Sequence, residues 1–213
     1  MDSPSRVTVV PLLGPFHTRS PLYNVVHVRA LLHALKPDAL ALADLAPGAL
    51  SSPAWQATEQ VALPHTVVPW AQRTKLPTYA VGSVAGQPGE PGEAGDTEAF
   101  MRYLGDFEAG RAHLRQLQAA LAPVQELVSR GLDLGRVVGE LLPAIERYET
   151  ERHELFGEGP GTGWLEARAS ATAERVVALP QEHVAVLVGV DDFGAVARAL
   201  GDRVAVEGLP SRL

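Results

Sequence analysis

The chain reads as an α/β protein: a mostly parallel sheet of about five strands flanked by helices, with a helical-hairpin insertion. Three observations predict this. Five short apolar runs recur along the 213 residues, and they are continuous rather than alternating, as strands buried on both faces require. Helical periodicity separates them, which calls for right-handed crossovers between parallel strands. Most of the runs end in Gly, Ser or Asp, the residue types that terminate strands and open the next turn.

The first strand is Val7-Thr8-Val9-Val10-Pro11-Leu12-Leu13. Ala39-Leu40-Ala41-Leu42-Ala43 follows and ends at Asp44. Thr78-Tyr79-Ala80-Val81 ends at Gly82-Ser83, and Val184-Ala185-Val186-Leu187-Val188 at Gly189-Val190-Asp191-Asp192. A short Val204-Ala205-Val206 closes the set. The first helix places Leu22, Val25, Val26, Val28, Leu32 and Leu35 at spacings of three and four, with Ser20-Pro21 expected to cap it and Pro37 to stop it. A second helix is expected to start at Ser51-Ser52-Pro53. A crossover helix is expected from Trp164 to Leu179, and another after Asp192.

The middle departs from this alternation. Residues 84–95 are rich in Gly, Pro and Glu and read as a flexible loop, which as a lid would carry Glu90 and Glu93 to the pocket. Residues 96–156 form a helical insertion within a single domain spanning 1–213. In it Asp96 caps a helix that Pro123 is expected to break or kink, and Leu134, Val137, Val138, Leu141, Leu142 and Ile145 mark another. The run from Glu146 to Glu154 is expected to be an exposed face of i, i+3 and i, i+4 pairs. Gly157 to Gly163 follows a helix rather than a strand, so it reads as a linker and not as a dinucleotide fingerprint.

Composition narrows the function. The net charge of −7 and the lack of a basic stripe argue against a nucleic-acid surface. No cysteine is present, which excludes disulfides, thiolate metal sites and a cysteine nucleophile. No apolar run is long enough to span a bilayer and no leader pattern is evident, so a cytoplasmic location away from membranes is expected. Only two of the 18 basic residues are Lys, a bias that fits a GC-rich bacterial genome. Base rates favour a homodimer.

In an open parallel sheet ligands bind beyond the carboxyl ends of the strands. The polar groups expected there are His17, Arg19, Asp44, Ser83, Asp191 and Asp192. Imidazole with carboxylates suits a divalent metal (Zn, Mn or Co), which would lower the pKa of a bound water. His17 with one or more of these carboxylates would then be the ligands, and Arg19 would stabilise developing negative charge. Capping roles for Asp44 and Asp192 compete with this. So does an anion site made by Arg19 and the first helix's N-terminus. A Ser83–His17 nucleophile pair lacks the second glycine of a nucleophile elbow. His27 and His33 lie on different faces of one helix, His113 and His153 are expected to be solvated, and His65 lies in a loop.

Gly14-Pro15-Phe16-His17 after the first strand, Leu35-Lys36-Pro37-Asp38 leading into the second, the large helical insertion, the Arg-bearing stretch Glu166-Ala167-Arg168 through Glu174-Arg175, and Gly189-Val190-Asp191-Asp192 resemble a superfamily in order and spacing. That superfamily groups TraB-type proteins, TIKI metalloproteases, erythromycin esterase-like enzymes and ChaN-like haem-binding proteins. The chain is similar to a divergent member. The family's acidic residue after the second strand falls on Ala43, with Asp44 beside it, and its second histidine falls on Asp192. The resemblance implies a metal-dependent hydrolase-like protein acting on a small ester, amide or peptide, with His17 and Asp192 as metal ligands, Asp44 as a third, Arg168 or Glu166 supporting the site, and Arg19 or Arg168 stabilising developing negative charge. Its alternative is a degenerate, non-catalytic relative that binds a small molecule, a peptide or a partner protein.

Overall fold

The computed structural model describes residues 4–57, 60–83, 94–156 and 163–213. Five parallel strands form one sheet: β1 (Arg6–Leu12), β2 (Ala39–Leu42), β3 (Thr78–Ala80), β4 (His183–Gly189) and β5 (Val206–Glu207), in the order β3-β2-β4-β1-β5. β4 is central, buried along its whole length, and runs beside β1 from Arg6↔His183 to Leu12↔Gly189. That burial on both faces is why these strands lack alternation.

The connections decide where a site can form. α1 (Val25–Leu35) leads from β1 past β4 to β2, and α2 (Val68–Thr74) leads on to β3 at the edge. The chain then reverses direction, and α7 (Gly163–Val177) precedes β4 while α8 (Val190–Gly201) leads from β4 past β1 to β5. Right-handed crossovers put α1 and α2 on one face and α7 and α8 on the other. Accordingly, α1 packs on the turn that opens α2, and α7 packs on α8. The carboxyl end of β4 is therefore flanked on both sides by strands whose chains leave to the opposite face. That is the topological switch at which open sheets form a crevice.

Between β3 and β4 lie α3 (Ala94–Asp106), α4 (Glu108–Ser129), α5 (Leu134–Arg136), a π-helical turn at Val137–Leu141, and α6 (Leu142–Phe156). α4 packs on α3 and α6, and α6 on α8. Val124, Val128, Leu134, Val137, Leu141 and Ile145 join the same core as the strands.

Several local expectations are corrected. α1 is capped by Asn24, whose side chain takes the Val26 N–H at 3.0 Å, with His27 completing a capping box. Ser20 instead closes a turn by accepting the Tyr23 N–H at 3.0 Å. Beyond Ser51-Ser52-Pro53 there are only short 3₁₀ turns at Ala49–Ser51 and Pro53–Ala57, and regular helix begins at Leu63 with a π turn. Pro123 lies inside α4 without ending it, whereas the interruption falls at Phe107. α8 begins at Val190, so Asp192 lies within its first turn and Gly189 is its N-cap. The last strand is Val206–Glu207, two residues beyond the expected start at Val204. The expected loop 84–95 lies largely outside the described residues, as do residues 157–162 of the expected linker. No described helix is long and apolar enough to cross a membrane.

Candidate functional site

The segment after β1 folds into a 3₁₀ turn, Gly14–Thr18, started by Gly14 at φ +54° and Pro15. It turns His17 inward, to 1% exposure. Nε2 accepts the Leu13 N–H at 2.9 Å, and Nδ1, 3.3 Å from the Tyr23 carbonyl, donates to it. Burial holds the imidazole down to about 4, so it is neutral at ordinary pH. Both ring nitrogens thus serve the backbone. Arg19 is exposed, with its guanidinium 5.9 Å above the Phe16 ring.

Asp44 follows β2 and reaches across to β4, where its carboxylate accepts the Gly189 N–H at 3.0 and 3.3 Å. Burial pushes its carboxyl up to about 7, and nearby Asp192 and Asp191 act in the same direction. The Gly189 N–H and Arg168 oppose that rise. A Cβ on Gly189 would stand 2.6 Å from Gln60 Nε2 and 3.4 Å from Asp44 Oδ1. Gln60 in turn accepts the Gly14 N–H at 3.1 Å. The bare backbone of Gly189 therefore lets Gln60 lie against the end of β4, joining the loops after β1 and β2.

Beyond this floor opens a cavity of about 720 Å³. One wall is the β1 loop with Leu12, Leu13 and Phe16, the opposite wall is α4 with Leu121, Val124 and Val128, and Gln60, Val190 and Asp191 close the rest. The insertion thus covers the ligand edge of the sheet. Asp44 is not in the lining, although both it and Gln60 lie against Gly189.

On the far side, α7 pins β3. Arg168 Nε donates to the Ser83 carbonyl at 2.8 Å and Nη2 to Asp192 at 3.3 Å. Arg175, two turns on, donates to the Gly82 carbonyl at 2.8 Å. Gly82 is obligatory, because a Cβ there would lie 2.0 Å from the Ala43 carbonyl oxygen. The Ser83 hydroxyl is buried without a hydrogen-bond partner, on the Arg168 and Asp192 side of the sheet, and does not pair with His17.

The sequence-predicted residues are thus divided between three places. Asp44, Asp191, Asp192 and Arg168 gather electrostatically at the ends of β2 and β4, His17 is locked into the β1 turn, and Glu166 lies on the surface 4.0 Å from His153. His65 is exposed on the π turn, and His33 accepts the Trp70 indole N–H at 3.0 Å. His113, expected in solvent, is instead part-buried against Phe156 with its Nδ1 2.8 Å from the Tyr103 hydroxyl. Among the described residues, no three His, Asp or Glu side chains converge as a set able to hold a metal ion. A divalent ion on His17 would also have to displace the Leu13 N–H, so these residues do not fit one in this geometry. Compared with family models, curated proteins and solved structures, the chain matches none.

Gln60 had no sequence signal, whereas Leu121 of the α4 wall lies on the apolar face that helical spacing marks. Gly189 was visible as the start of Gly189-Val190-Asp191-Asp192, but its role as the missing wall between Gln60 and Asp44 needs the fold.

Proposed function

We propose that this chain is a small-molecule-binding protein whose ligand occupies the cavity above the carboxyl end of β4. The observation that carries the proposal is the cavity's position: the topological switch of the sheet, roofed by an insertion that supplies an apolar wall. Its volume of about 720 Å³ is of the size that encloses a drug-sized ligand. The lining is largely apolar with a few polar groups (Gln60, Gln125, Ser129 and Asp191), which suits a compact organic molecule. Val124→Trp should fill the cavity while remaining on α4's apolar face. Loss of binding in that variant, with unchanged helix content, supports the proposal. Retained binding contradicts it.

A second reading, hydrolysis of a small ester, amide or peptide, is favoured by Asp44. A carboxyl held near neutrality can both accept and give a proton at working pH. The test is turnover of an ester and amide panel with and without added Mn, Co or Zn. Activity abolished in Asp44→Asn but indifferent to metal supports a metal-free carboxyl site. Activity that needs metal and is lost in His17→Ala supports the metal-dependent form.

A further inference from the structure

We infer that the outer face of α1 and α2 docks an acidic amphipathic helix of a partner protein, with its carboxylates against Arg29, Lys36, Arg73 and Lys75 and its apolar residues against Leu22 and Val26.

Folding gathers on this face cations that the sequence scatters. Six of the chain's 18 basic side chains but only four of its 25 acidic ones lie in residues 1–82, so this stretch is net positive in a chain of net charge −7. The Trp70 indole N–H donates to His33 Nε2 at 3.0 Å and holds α2 beside α1. Arg29 and Lys36 stand one helical turn to either side of His33, and Arg73 stands one turn beyond Trp70. Lys36 and Lys75, the chain's two lysines, end α1 and α2 just ahead of β2 and β3, which pair at Leu40↔Thr78. All four cations are exposed. Among the described residues, none of the four forms an ion pair. Of the described carboxylates in this stretch, Asp38 accepts the His183 N–H at 2.9 Å, and Asp44 lies at the opposite end of β2.

The same side of α1 continues into apolar surface. Val26, Arg29 and His33 follow one another at spacings of four and three, and Leu22 precedes them by one turn. Leu22 is 51% exposed and Val26 56%. A strip that is apolar at one end and cationic at the other, lying along two neighbouring helices, matches an amphipathic helix that carries Glu or Asp. A broad anionic surface matches it less well. A bilayer or a nucleic acid would also meet the rest of the chain, where acidic side chains outnumber basic ones.

The probe is a short fluorescein-labelled helical peptide with Leu at one end and Glu along the same side, and its control carries Lys for every Glu. Each is titrated into the full chain by fluorescence anisotropy, with the Trp70 indole N–H followed by NMR. The acidic peptide is expected to bind about tenfold or more tightly than the control, to weaken as salt is raised, and to shift the Trp70 signal. The double variant Arg29→Glu/Arg73→Glu should lose about tenfold or more in affinity, and Leu22→Ser should lose less. Should charge reversal disturb the fold, Arg29→Gln/Arg73→Gln makes the same test with a smaller loss. Absence of binding, equal binding of the two peptides, or binding unchanged in the charge variants would overturn the inference. Phosphatidylserine vesicles or duplex DNA bound more tightly than the acidic peptide would also overturn it, assigning the face to a phosphate-bearing surface instead.

Discussion

The carboxylate of Asp44 holds the backbone N–H of Gly189 at 3.0 and 3.3 Å, tying the end of β2 to the end of β4 across their shared ladder. The glycine's missing side chain admits Gln60 on the other side, so three loops meet at one residue. Gly189→Ala should cost about 1 kcal/mol, the low end for overpacking, because its Cβ meets the movable end of Gln60 rather than backbone. Its φ of −60° suits any residue. Gly82→Ala should cost about 3 kcal/mol or prevent folding, since Ala43's carbonyl cannot withdraw. Urea denaturation of the two variants separates these outcomes.

Asp44 and His17 oppose each other in their pH dependence. Asp44's carboxyl rises from 3.8 to about 7 on folding, so its contribution falls as pH climbs through that interval and is flat above it. The full change is at most about 4 kcal/mol. His17 falls from 6.5 to about 4, so its contribution is complete above 6.5 and is lost as pH drops toward 4, by about 3 kcal/mol. The wild-type protein should therefore show little net slope from these two groups. Asp44→Asn should lose stability on acidification through this window, and His17→Gln should gain it. Urea midpoints measured between about pH 4 and 8 test both signs.

Glu149 tests the joint between insertion and sheet. Its side chain is fully buried, paired with Arg152 and, at 3.5 Å, with Arg198 of α8. Glu149→Ala should cost about 1–3 kcal/mol, chiefly by leaving the largely buried Arg152 without its partner, since Arg198 is half exposed and can turn to water, while Glu149→Met should cost less. Gly194→Ala places a Cβ 2.7 Å from Glu149 Cγ and should destabilise through the same contact. Thermal melts rank the three.

The Ser83 hydroxyl has no partner although the residue is 2% exposed. Ser83→Ala should be neutral or stabilise by up to about 1 kcal/mol, because an unmade hydrogen bond is removed with its desolvation cost. A loss of more than about 1 kcal/mol would mean that a bound water satisfies that oxygen.

The sheet was legible because the buried strands β1, β2 and β4 leave unbroken apolar runs, whereas the exposed last strand shares only Val206 with its expected run. The ligand edge was also legible, since Asp44 and Gly189 end apolar runs, but which strands are neighbours and where the sheet switches direction needed the fold. What local pattern could not show was commitment of polar groups to backbone. His17 looks like a ligand in sequence, yet the 3₁₀ turn places both its nitrogens on main-chain partners. The run from Glu146 to Glu154 looks solvated, but tertiary packing buries Glu149 completely. Gln60 and Val124 reach the site through crossovers that no local signal encodes.

The central claim is that a ligand sits above the end of β4 under α4. Amide chemical-shift mapping with a panel of compact, largely apolar organic molecules tests it most directly. The account predicts that perturbations cluster at Gly14, Phe16, Gln60, Val124 and Val190. Perturbations confined to other surfaces, or equally strong in Val124→Trp, would contradict it.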